Sequence, residues 1–166
     1  MILPGHVAAS VLCHRHLKVA LWPALVAGVF PDLVDKFLYY VLRVVPSSRT
    51  PMHTLWGWLG STLLLGLLAW ALDRTRRRAW LWSWFVGYGA HLLCDSPLVG
   101  GRLPFLWPLR SYTMSSSRAP LSYLFDGGPW PLWTLSAELL LVGYTLATSS
   151  RFRRWLAARR PPAKAS

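Results

Sequence analysis

The feature that most constrains this chain is an apolar run over residues 55–72 that contains no charged side chain. As a helix it would rise about 1.5 Å per residue and cover most of a hydrocarbon core about 30 Å thick. Two further apolar segments, 80–99 and 130–149, carry few ionisable groups. Hydrophobic residues make up 54% of the 166 residues, more than a soluble domain of this size usually buries. The chain is therefore expected to be all-α, a polytopic membrane helix bundle of about four to five transmembrane helices.

The first fifty residues predict a helical hairpin followed by a short helix near the membrane interface. Apolar stretches at 3–13 and 17–30 flank a polar turn at 14–18. Pro31 is expected to stop the second helix, because proline cannot continue the hydrogen-bond ladder. A further apolar stretch, 33–45, forms the short helix.

The net charge of +12 is concentrated in runs that directly follow apolar segments, at 74–78 and from residue 151 onward. This placement favours membrane topology over nucleic-acid binding, and no nucleic-acid partner is expected. With both runs and the polar turn at 14–18 in the cytoplasm, twelve of the 18 basic residues lie inside. Residues 1–150 would then be a membrane-embedded helical domain, 151–166 a basic, disordered cytoplasmic tail, and 100–128 a long extracytoplasmic loop rich in proline and glycine. The expected location is the inner (plasma) membrane, multi-pass, with the C-terminus cytoplasmic.

This topology places several ionisable side chains at one membrane level, near the outer surface. His91 and Asp95 are four residues apart on one helix and share a face, and Asp32 and Asp35 are three apart. Ionisable groups inside a membrane are costly and usually functional, and imidazole and carboxylate are ligands that suit zinc. The sequence therefore predicts a divalent metal site, with zinc as the expected ion, formed by His6, Asp32, Asp35, His53, His91 and Asp95.

Each of these residues also has a structural alternative. One alternative makes His91 and Asp95 a hydrogen-bonded pair that holds helices together, and another makes His53 an interfacial residue at the N-terminus of its helix. Asp32 could cap a helix after Pro31, and Asp35 could pair with Lys36 or Arg43. His14 and His16 are assigned to the cytoplasmic turn. Glu138 could join the cluster, carry a proton or make a hydrogen bond in helix packing.

At these residues the chain resembles the YdjM-type family of membrane-bound metal-dependent hydrolases, formerly a domain of unknown function. The matching pieces lie within 5–110: Gly5-His6, the block 31–36, Arg49 with His53-Thr54, the block 89–96 and the segment 106–109. The order of His and Asp residues is also similar to that of zinc-dependent phospholipase C enzymes. That resemblance implies one metal site from Asp35 or Asp32 with His53, His91 and Asp95, and a second aided by His6. No His follows His91, so the remaining ligands of those enzymes have no counterpart here.

The resemblance and the site together indicate a phospholipase-like membrane hydrolase. A metal-activated water would attack a phospholipid or another lipid-linked (phospho)ester, with Asp32 or Asp35 as the catalytic proton acceptor. Arg102, Arg110 and Arg118 are candidate phosphate-binding residues. One alternative is a non-enzymatic regulatory protein whose basic loop and tail bind a protein partner, since members of the family are described as binding a DNA-damage repressor. The other is an ion or proton carrier that uses His91, Asp95 and Glu138.

Overall fold

The computed structural model describes residues 3–72, 75–96, 103–112, 132–150 and 154. A π-helical segment, Phe37–Leu42, continues the second helix and ends at Arg43, whose φ of 57° turns the chain. The all-α prediction is confirmed for these parts of the chain, which contain no strand. They form five α-helices: α1 (Leu3–Leu17), α2 (Leu21–Lys36), α3 (Leu55–Leu72), α4 (Arg77–Cys94) and α5 (Leu132–Ala147).

Helices α2 and α4 pack against each other at the centre of the bundle. Helix α1 lies against both, α3 packs on α4, and α5 packs on α1. Small residues allow the central pair to approach closely: a Cβ added at Gly87 of α4 would lie 2.5 Å from the carbonyl oxygen of Ala24 on α2. This crossing places the end of α4 beside the middle of α2, where the polar cluster lies.

Apolar side chains occupy both the interior and the outer surface of the bundle. Tyr88 is fully buried in a core with Ala27, Trp84 and Leu92. Helix α3, in contrast, leaves many leucines largely exposed, among them Leu63 and Leu67. Exposed apolar surface of this extent is typical of a chain that meets lipid or another apolar partner.

Among the described helices, none combines the length and the apolar character needed to cross a membrane. The predicted four to five spans, the sides of the loops and the cytoplasmic C-terminus therefore stay predictions. Most of the predicted loop at 100–128 and almost all of the tail at 151–166 lie outside the described residues.

The prediction that Pro31 ends its helix is wrong. Pro31 is buried inside α2, which continues to Lys36 and into the π-helical segment. Proline removes a single backbone donor, and the packing of α2 against α4 and α1 holds the remaining turns in place. The polar turn is also shorter than expected, because α1 extends through His14 and His16 to Leu17.

The later helices match their predicted positions more closely. Helix α3 covers the predicted run 55–72 completely. Helix α4 begins at Arg77 and ends at Cys94, so the prediction of helix up to residue 99 is wrong at that end. Pro97 disfavours a helical conformation at the residue before it, which accounts for the early end. Helix α5 is confirmed, with Leu132–Ala147 inside the predicted 130–149.

Candidate metal centre

Three helices and one loop bring the six predicted site residues into a single buried cluster. His6 lies on α1, Asp32 and Asp35 on α2, His53 in the loop before α3, His91 on the last turn of α4, and Asp95 directly after it. Four of them each offer a ligand atom, all within 4.8 Å of one another: Asp32, His53, His91 and Asp95.

The hydrogen bonds of the two central histidines determine which ring nitrogens face each other. His91 Nδ1 donates to the carbonyl oxygen of Gly28 at 2.8 Å, and His53 Nδ1 donates to Asp35 Oδ2 at 2.8 Å. In the neutral rings this leaves the lone pair of each histidine on Nε2. The two Nε2 atoms lie 3.0 Å apart. Two lone pairs at this distance repel unless a proton or a metal ion lies between them.

The carboxylates complete a donor set of two nitrogens and two oxygens. Asp95 Oδ2 lies 3.3 Å from His53 Nε2, and Asp32 Oδ1 lies 3.7 Å from the same atom. Zinc and similar divalent ions bind imidazole nitrogen and carboxylate oxygen in such mixed sets. The four side chains therefore fit one divalent cation.

Asp35 is held in a different way from the other two aspartates. Its Oδ1 accepts the backbone N–H of Met52 at 2.8 Å, and its Oδ2 accepts the backbone N–H of His53 at 3.1 Å as well as the ring N–H. Three donors thus occupy this fully buried carboxylate, which orients His53. Burial lowers the pKa of His53, but hydrogen bonds to Asp35 and Asp95 outweigh it and hold the pKa above its ordinary value.

The loop that carries His53 is held by one hydrogen bond within itself and by hydrogen bonds to α4 and to Phe105. The Tyr88 hydroxyl donates to the carbonyl oxygen of Met52 at 2.7 Å. The Thr54 hydroxyl donates to the carbonyl oxygen of Pro51, and the Leu55 N–H donates to that of Phe105 at 2.8 Å. His53 therefore reaches the cluster from a hydrogen-bonded loop, although it lies outside any helix.

His6 approaches the cluster from α1 and stacks on His91, with ring centroids 3.9 Å apart. Its Nε2 lies 3.5 Å from Asp95 Oδ1 and 3.9 Å from Asp32 Oδ2. Glu138 lies nearby in the bundle, where its Oε1 accepts the backbone N–H of Gly5 at 3.1 Å. Of the roles left open for Glu138, the structure shows this hydrogen bond between α5 and α1.

Two cations at the rim of the cluster were given no site role from the sequence. Lys36 Nζ lies 3.0 Å from Asp32 Oδ1, and Arg49 lies 3.9 Å from Asp95 Oδ2. Lys36 therefore pairs with Asp32 one helical turn earlier, a spacing that was visible in the sequence, whereas the alternative had paired it with Asp35. Arg49 precedes His53 by four residues in the same loop. This position in the sequence could have indicated that Arg49 lies near the cluster.

The other predicted residues lie away from the cluster or outside the described chain. His14 and His16 are on the last turn of α1, and His14 Nδ1 donates to the carbonyl oxygen of Val19. Arg110 is exposed, and its backbone N–H donates to the carbonyl oxygen of Leu106 at 3.2 Å. Arg102 and Arg118 lie outside the described residues.

Comparison with known protein families places the chain in one of them. The model of the YdjM inner membrane protein family matches residues 2–158, nearly the whole chain. No curated protein and no solved structure matches it significantly. With its helices and its buried histidine–aspartate cluster inside the matched region, this chain belongs to the YdjM inner membrane protein family.

Proposed function

We propose that this protein is a membrane-bound, metal-dependent hydrolase that cleaves a phospholipid or another lipid-linked (phospho)ester. The observation that carries the proposal is the facing pair of Nε2 atoms of His53 and His91, 3.0 Å apart and flanked by the carboxylates of Asp32 and Asp95. A buried cluster of this kind is costly without a cation. A divalent ion held there would activate a water molecule for attack and polarise the ester oxygen.

Of the two aspartates predicted to be catalytic, Asp32 is the better candidate for the proton acceptor. The carboxylate of Asp35 is fully buried and already accepts three N–H groups. The Asp32 side chain is 12% exposed and lies at the edge of the cluster beside Lys36. A proton released from an attacking water would pass to Asp32, and Asp35 would keep His53 in its ligating orientation.

The rim of the cluster supports an anionic substrate. Lys36 and Arg49 each approach one of the ligand carboxylates and are about half and one third exposed. Guanidinium and ammonium groups at such an edge bind phosphate oxygens. We propose that these two cations hold the phosphate of the substrate, a role that the sequence had suggested for the arginines of the 100–128 segment.

An apolar strip beside Lys36 supports a substrate with hydrocarbon chains. Leu33, Phe37 and Val41 follow one another at intervals of four residues along α2 and its π-helical continuation, and all are at least half exposed. Such a strip next to a cationic rim suits an amphiphile whose phosphate lies at the site and whose tails lie along the protein. We further propose that the bundle spans the inner membrane with the cluster towards the outer leaflet, as the charge bias predicts.

The experiment is metal analysis and activity assay of the purified protein in detergent micelles. The wild-type protein should contain a divalent metal and should cleave phospholipid in mixed micelles. The variants His91→Ala and Asp95→Ala should lose the metal and at least 100-fold in kcat/KM. His16→Ala, which removes an exposed histidine at the opposite end of α1, is the matched control. Unchanged metal content and activity in the first two variants would refute the proposal.

A further inference from the structure

A groove of about 530 Å³ runs between α3 and α4. This volume lies within the usual range of small-molecule sites, about 300–1,000 Å³. Its lining extends from Leu59 to Trp70 on α3 and includes Arg77, Leu81 and Phe85 of α4. Gly66 keeps the middle of the groove open, because a Cβ there would lie 3.1 Å from Cδ2 of Leu81.

The lining of this groove is apolar except at one end. Leu63 and Leu67 lie along it and are both more than half exposed. The hydroxyl of Thr62 donates to the carbonyl oxygen of Trp58 at 2.7 Å, so its hydrogen is already engaged within α3. Among the described residues that line the groove, Arg77 is the one with a charged side chain. The groove is therefore an apolar surface that ends at a positive charge.

The length of the groove matches the depth of one membrane leaflet. From Leu59 to Trp70 helix α3 rises about 16 Å, and the hydrocarbon part of one leaflet is half of about 30 Å. Arg77 lies at the end where the basic run 74–78 connects the two helices. A single hydrocarbon chain can therefore lie along the groove with a headgroup beside this run.

The charge at this end selects the kind of headgroup, because basic side chains at a membrane surface attract anionic lipids. We propose that the α3–α4 groove binds an anionic phospholipid, with one acyl chain along α3 and the headgroup at Arg77. Arg77 lies about 21 Å along α4 from His91. The lipid bound there is therefore distinct from the substrate of the metal centre. The inference goes beyond the proposed function and shares with it only the placement of the protein in a membrane.

The test measures lipid binding by the full-length protein in micelles of a neutral detergent. Phosphatidylglycerol or phosphatidylcholine with the same brominated acyl chains is added, and tryptophan fluorescence is read immediately after mixing, before hydrolysis can change the lipid. Bromine quenches an indole that it contacts, and Trp70 lines the groove. Phosphatidylglycerol should reach half-maximal quenching at an about fivefold lower mole fraction than phosphatidylcholine. Trp70→Phe should lose much of this quenching, whereas Trp22→Phe, which removes an exposed indole on α2, should retain it.

Two pairs of substitutions separate the headgroup from the acyl chain. Arg77→Gln should abolish the preference for phosphatidylglycerol. Arg78→Gln removes the same charge from an exposed side chain outside the groove lining and should keep the preference. Gly66→Leu would fill the middle of the groove and should weaken the binding of both lipids. Gly60→Leu is its control on the same helix, because a Cβ there meets nothing within 4 Å and Gly60 is outside the lining.

Equal quenching by the two lipids in the wild-type protein would overturn the inference, and so would equal effects of Arg77→Gln and Arg78→Gln. Unchanged binding in Gly66→Leu would place the acyl chain elsewhere and would overturn it as well. If Gly66→Leu does not fold, the wild-type comparison and the two arginine variants still decide the question. Arg77→Gln should keep the metal content of the wild type, and failure of the hydrolase proposal would leave this lipid site standing.

Discussion

At the scale of single residues, Asp35 distinguishes a positioning role from a chemical one. Its carboxylate accepts the ring N–H of His53 and two backbone N–H groups. The side-chain amide of an asparagine would place an N–H donor against these N–H donors. Asp35→Asn should therefore remove the hydrogen bond that orients the His53 ring. Loss of such an orienting partner typically weakens metal binding about 10- to 100-fold, and isothermal titration with Zn²⁺ would measure the change.

The control for Asp35→Asn is the same change of acid to amide at Glu138, which is also buried and accepts a backbone N–H. Glu138→Gln should leave the affinity of the His53–His91 site for Zn²⁺ nearly unchanged, because the N–H group that Glu138 accepts belongs to the backbone of Gly5 and not to a ligating histidine. If Asp35→Asn instead kept its Zn²⁺ affinity and lost only kcat, Asp35 would be the proton acceptor, as one of the two sequence-based assignments had it.

The sequence predicted which residues form the cluster, but not which hydrogen bonds hold each side chain in place. Helical spacing and one choice of topology were enough to place His91, Asp95 and the two aspartates of α2 at one level. The acceptor for His91, in contrast, is the carbonyl oxygen of Gly28. That contact exists only because α2 and α4 cross closely, which no local pattern reveals. The stacking of His6 on His91 likewise depends on the packing of α1 against α4.

At the scale of helices, the crossing of α2 and α4 depends on Gly87. A Cβ at this position would lie 2.5 Å from the carbonyl oxygen and 2.8 Å from the Cα of Ala24, which are backbone atoms that cannot turn away. Gly87→Ala should therefore force the helices apart and lower the free energy of unfolding by about 1–3 kcal/mol. Because His91 lies one turn further along α4, the Zn²⁺ affinity should fall as well. Chemical denaturation in detergent and Zn²⁺ titration would measure both effects.

Gly143 on α5 provides the matched comparison for Gly87. A Cβ there meets nothing within 4 Å, so Gly143→Ala should raise the stability by about 0.5–1 kcal/mol through helix propensity. If Gly87→Ala and Gly143→Ala changed the free energy of unfolding equally, the close contact between α2 and α4 at Gly87 would not be needed for the stability of the bundle.

The sequence predicted helix boundaries correctly where an uncharged apolar run alone determined them. The uncharged run that became α3 has no competing signal, and its predicted ends are the observed ones. Pro31 gave a strong local signal that was overridden, because one missing donor weighs less than the burial of a whole helical face. The continuation of α2 beyond Pro31 has a functional result: Asp32, Asp35 and Lys36 all keep helical spacing and reach the cluster.

At the scale of the whole molecule, the proposed metal centre joins elements that are far apart in the chain. Its four ligands come from α2, the loop before α3 and the end of α4, so a bound cation would link the two central helices to the start of α3. A ligand that binds only the folded state stabilises it by about 2.7 kcal/mol at one hundred times its dissociation constant. At about 2–4 °C per kcal/mol for a chain of this size, chelation should lower the unfolding midpoint by about 5–10 °C.

This stabilisation can be measured by thermal unfolding in detergent, followed by the fluorescence of the 11 tryptophans. The midpoint should fall when a chelator is added and recover with excess Zn²⁺. In His91→Ala the midpoint should start lower and should respond to neither reagent, which separates loss of the ion from a general effect of the chelator. Identical midpoints of the wild-type protein with and without the chelator would mean that the cluster is held together by protons and rim cations alone. The close approach of Lys36 and Arg49 to Asp32 and Asp95 shows which contacts would then carry that role.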